Sequence, residues 1–313
     1  MAKSALIYGI LGQDGHYLSK FLSEKGYSVA GVSRTGAILP GAKAYAADLS
    51  GESKQYLFPI DDFSPDEIYN LAGISNPRVA DADPSLASKV NAMPAAEILK
   101  KILDEKSKAR FFQASSCYMF SGSQKVSEST APSPGGAYGR SKLEAHLAVA
   151  EARKKGAYAC SGILFNHESP LRTLEFATRK ISSAAAEFSL GRRTEPLLLG
   201  NLDVSRDWGF AGDYVEAMWL MLQQEAPGDY VIATGKPHTV RDFCMEAFSY
   251  VGLDYEKHVQ VDKRLIRASE TNMVADISKI ESIIGWKPKT DFRTLVRMMV
   301  DADVEFIGQG GIS

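Results

Sequence analysis

Short apolar runs alternate with longer amphipathic stretches through the first half of the chain, and that alternation predicts its architecture. Runs at residues 5–9, 27–33, 42–47, 66–73, 110–116 and 157–165 have the length and composition of buried strands. Between them lie segments of helical periodicity: one ending near Gly26, one from Pro84 to about Glu105, and one carrying Tyr138 that stops at Gly156. Strands that are apolar at nearly every position are covered on both faces, so the pattern predicts an α/β fold built on a doubly wound parallel sheet. Beyond about residue 165 the regularity loosens. Apolar segments at 176–190, 196–199, 214–224, 230–234, 240–251 and 295–306 are interspersed with polar ones, which predicts a second, smaller α/β lobe. The expected division is a first unit over residues 1–165 and a lobe over 166–313 interleaved with late elements of the first. No internal repeat or low-complexity tract interrupts the pattern.

Composition adds exclusions. With 313 residues, 45% of them apolar, the chain is large enough for one α/β unit with an added lobe. Its formal net charge of −2 comes without long runs of either sign, which gives no electrostatic reason to expect nucleic acid or an anionic membrane as partner. Cys117, Cys160 and Cys244 stand apart with no C-x-x-C spacing, the pattern of reduced, buried thiols. The sequence opens on Met-Ala-Lys-Ser directly before an apolar strand, and no stretch approaches about 18 consecutive apolar residues. Together these features point to a cytoplasmic protein.

The chemistry begins in the first fifteen residues. The strand ending at Gly9 leads into Gly9-Ile10-Leu11-Gly12-Gln13-Asp14-Gly15 and then an amphipathic helix. Glycines at that spacing let the backbone turn tightly and approach a pyrophosphate, while free N–H groups at the helix start favour its charge. This is the G-x-x-G-x-x-G form of a Rossmann dinucleotide turn. The second strand ends at Ser33-Arg34, where a cofactor with a free ribose 2′-hydroxyl would meet an acid. A guanidinium there suits a 2′-phosphate instead, so the reading is NADP, with NAD possible. Asp48 and Leu49 close the third strand near the expected adenine position. Leu71 and Ala72 form a small-residue turn of the kind needed where backbone passes close to a cofactor.

A second constellation spans residues 114–142. Tyr138 and Lys142 are four apart in a helix and so project from one face, where an ammonium can favour ionisation of a phenol. Ser116, ending an apolar run, can hold the same substrate oxygen while the proton moves. Tyr138 is therefore the candidate acid/base, with Ser115 beside it on the cofactor side. No His, Cys or carboxylate set has metal-ligand spacing, so no metal is expected.

With these pieces in place the chain resembles the extended short-chain dehydrogenase/reductases that modify sugar nucleotides, and within them the GDP-mannose 4,6-dehydratase family. The resemblance covers nearly the whole chain. It is carried by the 5–15 turn with Gln13-Asp14, by Gln113-Ala-Ser-Ser116, by Tyr138 with Lys142, and by Gly162-Ile-Leu-Phe-Asn-His-Glu-Ser-Pro170. Further on it is carried by Thr178-Arg-Lys-Ile181, Leu199-Gly-Asn-Leu-Asp203, Arg206-Asp-Trp-Gly209, Asp213-Tyr-Val-Glu-Ala-Met-Trp219 and Gly285-Trp-Lys-Pro288. The resemblance implies that Asn166, Glu168, Lys180 and Arg206 line a nucleotide-sugar site, with Arg267 and Glu270 helping at the diphosphate and ribose. It implies a GDP-sugar substrate and a homodimer or homotetramer, paired through the Tyr138 helix and the helix from about Pro84 to Glu105.

Two departures bear on the reaction. The segment after Arg34 lacks the family's longer Arg/Ser-rich loop, which the dehydratase uses around the NADP phosphate and in subunit contacts. Where the family reads Ser-Thr-Ser-Glu, this chain has Ser115-Ser116-Cys117-Tyr118, so Tyr118 replaces the carboxylate that is the family's base at sugar C5. The expected reaction is NADP-dependent 4,6-dehydration through transient oxidation at C4. A 4-ketoreductase or 4-epimerase would use the same apparatus without a C5 base, and a non-catalytic nucleotide-sugar-binding homologue would use none of it. If dehydration is retained, Tyr118 itself, Glu128 or His167 must reach C5.

Overall fold

The computed structural model describes residues 2–37, 39–122, 125–266 and 272–311. In the first half strand and helix alternate as β1 (Ser4–Tyr8), α1 (Gln13–Glu24), β2 (Ser28–Ser33), β3 (Lys43–Ala46), α2 (Ser53–Phe63), β4 (Glu67–Asn70), α3 (Pro77–Ala82), α4 (Pro84–Asn91), α5 (Met93–Asp104), β5 (Arg110–Ser116), β6 (Lys125–Val126), α6 (Ala137–Lys154) and β7 (Ala159–Leu164). The second half comprises β8 (Asn166–Glu168), α7 (Ala177–Ser189), β9 (Leu197–Leu199), β10 (Ser205–Phe210), α8 (Ala211–Gln223), β11 (Asp229–Ile232), β12 (Pro237–Thr239), α9 (Val240–Tyr250), β13 (Val259–Val261), β14 (Val274–Ala275), α10 (Ser278–Ile284) and α11 (Phe292–Gly308).

Seven strands form one parallel sheet in the order β11-β7-β5-β4-β1-β2-β3. The direction of winding reverses between β1 and β4, which opens a crevice at their C-terminal ends, where ligands bind in folds of this kind. Each face of the sheet has its own core. On one, Ile7, Tyr69 and Phe112 meet Leu18 and Leu22 of α1 and Tyr214, Met218 and Met221 of α8. On the other, Leu6, Tyr8, Ile68 and Phe111 meet Ile60 of α2, Ile98 and Leu99 of α5, and Ala145 and Val149 of α6. Late elements thus return to the first unit, with α8 on its face and β11 at its edge. The remaining late elements pack together around Phe243, Phe248, Leu295 and Met299, joining α9 and α11 to Ile181 of α7 and Leu199 of β9.

The single helix expected from Pro84 to about Glu105 is two helices. Pro94 has no N–H to offer the carbonyl of Val90, so the chain breaks at Ala92 and restarts. Three further helices, α2, α3 and α10, lie outside the elements the pattern predicted. Among the described residues no helix is long and apolar enough to cross a membrane, and no group of three His, Cys, Asp or Glu could hold a metal ion.

Candidate functional site

At the crevice, β5 ends on Ser116, and a 3-10 turn follows at Cys117–Met119. The Ser116 hydroxyl caps that turn by accepting from the Tyr118 amide at 3.2 Å and stands close enough to the Tyr138 phenol to favour its ionisation. Tyr138 and Lys142 lie in the first turns of α6, which begins after Gly136 with the Ala137 amide donating to Asp81. The Lys142 ammonium stands 5.9 Å from the centre of the Tyr138 ring and donates to the Ala114 carbonyl at 3.0 Å. Burial pulls Lys142 down to about 8, with Asp14 opposing the shift. Burial raises Tyr138, while Ser116 and Arg172 work against that rise. Asn91 ties this corner together: it accepts from the Ile74 amide at 2.7 Å and donates to Ser141 at 2.9 Å. Tyr118 is half-buried, its ring edge-on to that of Tyr138 with centroids 5.6 Å apart. The predicted Ser116, Tyr118, Tyr138 and Lys142 are thus brought together. The Ser115 hydroxyl, by contrast, turns to His146 of α6, 3.4 Å away.

The glycine turn lies beside this corner. Gly9 closes β1 with φ +83°, and a Cβ there would stand 2.9 Å from Ala72, which brings the end of β4 and the turn into contact. A Cβ on Gly15 would stand 2.3 Å from the Gly9 carbonyl oxygen, so only glycine lets α1 seat against the strand. Gly12 is the N-cap of α1 and offers no side chain to its first-turn amides. A backbone cradle held open in this way, with uncapped helix amides behind it, fits the diphosphate of a dinucleotide. The side chains of Gln13 and Asp14 do not enter it. Gln13 bonds the His167 carbonyl (3.1 Å) and Ser169 (2.8 Å), and Asp14 bonds the His167 ring. Arg34 is exposed at the end of β2 with Asp48 in electrostatic reach. The Asp48 carboxylate accepts from the Ser50 amide and hydroxyl, and Leu49 is buried beside it.

On the sugar side, Asn166 is half-buried at the start of β8. Glu168 is not presented to a ligand as expected. Its carboxylate is buried, and its Oε2 accepts from Arg172 at 2.7 Å and from Thr178 at 2.9 Å, which ties it into a polar network inside the lobe. Lys180 is exposed near the start of α7, and Arg206 on β10 donates to the Ser205 carbonyl at 2.7 Å. Arg267 and Glu270 lie outside the described residues. Of the alternative bases, Glu128 accepts from the Val231 amide on β11, the edge strand of the sheet, and His167 is held between Asp14 and the Phe165 carbonyl. The sequence reading missed Arg172. Its guanidinium, 4.3 Å over the Phe176 ring, also bonds the His167 carbonyl and lies within electrostatic reach of Asp14 and Tyr138. No helical period linked Arg172 to Glu168 in sequence, because the segment is a strand and turn.

The family model for GDP-mannose 4,6-dehydratase matches residues 6–299. GDP-mannose 4,6 dehydratase 1 of Arabidopsis thaliana is 43% identical over 327 residues, covering 97% of this chain and 90% of that protein. Two solved structures share the fold at lower identity. RMD from Pseudomonas aeruginosa, complexed with NADPH, superposes with a TM-score of 0.83 at 20% identity, over 97% of this chain and 99% of that one. The dTDP-glucose 4,6-dehydratase of Bacillus anthracis, in complex with NAD, gives 0.83 at 16% identity, over 96% of each chain.

Proposed function

This chain belongs to the GDP-mannose 4,6-dehydratase family, and from that premise we propose that it removes water across C5 and C6 of a GDP-sugar, GDP-mannose or a close relative, to give the 4-keto-6-deoxy product. The observation that carries the reading is the assembly of Ser116, Tyr138 and Lys142 at the mouth of a glycine cradle. A nicotinamide dinucleotide held by the Gly9–Gly15 turn would supply a hydride acceptor at C4 and a donor at C6. Arg34 at the end of β2 favours NADP for that role, since its guanidinium suits a 2′-phosphate.

The protein's own groups do the rest. Tyr138 accepts the C4 hydroxyl proton, Ser116 holds the same oxygen, and the Lys142 ammonium stabilises the phenolate. The resulting 4-keto group acidifies C5–H. Tyr118, edge-on to Tyr138, takes that proton and delivers it to the departing C6 hydroxyl, so water leaves and a C5–C6 double bond forms. Once hydride arrives at C6, Tyr118 protonates C5 with a solvent-derived proton. Its assignment rests on position and on the engagement of the other acids, since Glu128 and His167 are both held by structural partners.

The test is incubation of the purified protein with GDP-mannose and catalytic NADP, following product by mass. Loss of one water with no net change in NADPH is the expected outcome. A second reading, 4-ketoreduction or 4-epimerisation, is favoured by one observation, the phenol at the carboxylate's position. It predicts a product that retains the water, and for a reductase net formation of NADPH from GDP-mannose, or its stoichiometric consumption when a 4-keto sugar nucleotide is supplied instead.

A further inference from the structure

The His167 ring has two partners of one kind. Its Nδ1 faces the Phe165 carbonyl at 2.8 Å, and its Nε2 faces both oxygens of Asp14, at 2.9 and 3.0 Å. A carbonyl oxygen and an ionised carboxylate only accept hydrogen bonds, so both ring nitrogens donate and the ring is an imidazolium. Asp14 is ionised here. Burial would raise its pKa, but His167, Arg172 and Gln13 together bring it below its ordinary value. The same pairing raises His167 against its burial, with Arg172 opposing. The imidazolium also lies against the face of the Tyr214 ring, with centroids 4.6 Å apart. It can therefore neither accept a proton from substrate nor serve as a C5 base.

Asp14 stands in the first turn of α1, directly behind the glycines. A bare carboxylate there would repel a diphosphate entering the cradle. We propose that His167 is a positioning residue for cofactor binding: its fixed positive charge neutralises Asp14 and locks the glycine turn to β8, so that the cradle accepts a dianionic diphosphate. The groups facing this pair are Gln13 on α1, the Phe165 carbonyl, Arg172 beyond β8, Tyr214 on α8, and Lys142 on α6, whose charge Asp14 supports. Arg172 is largely spent on Glu168 and the His167 carbonyl, and Lys142 on the Ala114 carbonyl. His167 is the cation bonded to Asp14 itself.

The inference rests on the dinucleotide reading of the glycine turn, and its test separates the two. In the apo protein, nitrogen-15 spectra of labelled histidine should show both His167 nitrogens protonated at pH 7.5, and a neutral tautomer would overturn the proposal without touching the cofactor assignment. Dissociation constants for NADPH and NADH, which share the diphosphate, are then measured by fluorescence for a charge cycle. His167→Asn should weaken both by about tenfold, the scale of one lost charge–charge interaction. Asp14→Asn should bind at least as tightly as the unaltered protein. The double variant, with an amide pair in place of the ion pair, should recover to within about threefold. Affinity of the unaltered protein should fall as pH rises through the raised His167 pKa, and that of His167→Asn should not. A double variant as weak as His167→Asn alone would mean the contact matters and the charge does not, and would overturn the proposal. If neither NADPH nor NADH binds the unaltered protein while His167 remains an imidazolium, the dinucleotide reading itself has failed.

Discussion

In the proposed mechanism Tyr138 carries the proton chemistry, and its neighbours set the terms. Tyr138→Phe removes the atom proposed to exchange a proton with the C4 hydroxyl but leaves the ring and the cradle in place. Cofactor binding should be unchanged while turnover falls by roughly two to four decades, and a fully active variant would exclude the assignment. Lys142 adds a pH limit. An amine is charged below its pKa, and burial brings this one to about 8, so the ammonium that supports the phenolate is progressively lost above that value. Turnover measured against pH should decline on that alkaline side, and an activity still rising well beyond it would show that the charge is not used. At Tyr118, Tyr118→Glu restores a group that is ionised at neutral pH and should speed exchange of the C5 hydrogen with solvent, whereas Tyr118→Phe should stop it. This core was legible in the sequence because its spacing is local: Tyr138 and Lys142 share one helix face, and Ser116 ends the adjoining strand. The fate of Glu168, Gln13 and Asp14 was not. Gln13 and Asp14 find partners about 150 positions away, and Glu168 is buried by an arginine that no periodicity connects to it.

At the scale of elements, the glycine turn works through close approach. The β1–α1 junction is compressed until a Cβ on Gly15 would lie 2.3 Å from one backbone oxygen and 2.6 Å from the Ile10 Cα. Neither backbone atom can give way cheaply. Gly15→Ala should therefore cost about 1–3 kcal/mol of stability by denaturant unfolding and weaken cofactor binding as α1 is pushed off the strand. An unchanged midpoint would show that the junction has slack. Strands β1, β2, β4, β5 and β7 were readable from apolar runs because they are buried on both faces, whereas the edge strand β3 is only partly buried, and helices were readable from their periodicity. What escaped involved proline. Pro94 splits an otherwise continuous period into α4 and α5, and Pro59 sits inside α2, so a segment that reads as interrupted is in fact helical.

Over the whole molecule, the chain leaves the first unit after β7 and returns to it with α8 and β11, so the second lobe is joined to the sheet through its edge. The site lies where the two meet, with β8 fastened to α1 by the Gln13, Asp14 and His167 bonds. On the other side, α5 and α6 expose Met93 and Leu147, both about half accessible. We propose that a second copy covers this face. Light scattering at micromolar concentration should give a dimer or larger, and Leu147→Glu should shift it toward monomer. A monomeric unaltered protein would rule the interface out.

The central claim, that oxidation at C4 is followed by loss of water from C5 and C6, is tested most directly by running the reaction on GDP-mannose in deuterated water and reading the sugar by NMR. A product with a C6 methyl group and solvent deuterium at C5 is the predicted result. A product with its C6 hydroxyl intact and no deuterium at C5 would contradict dehydration and leave only the Tyr138 oxidoreduction standing.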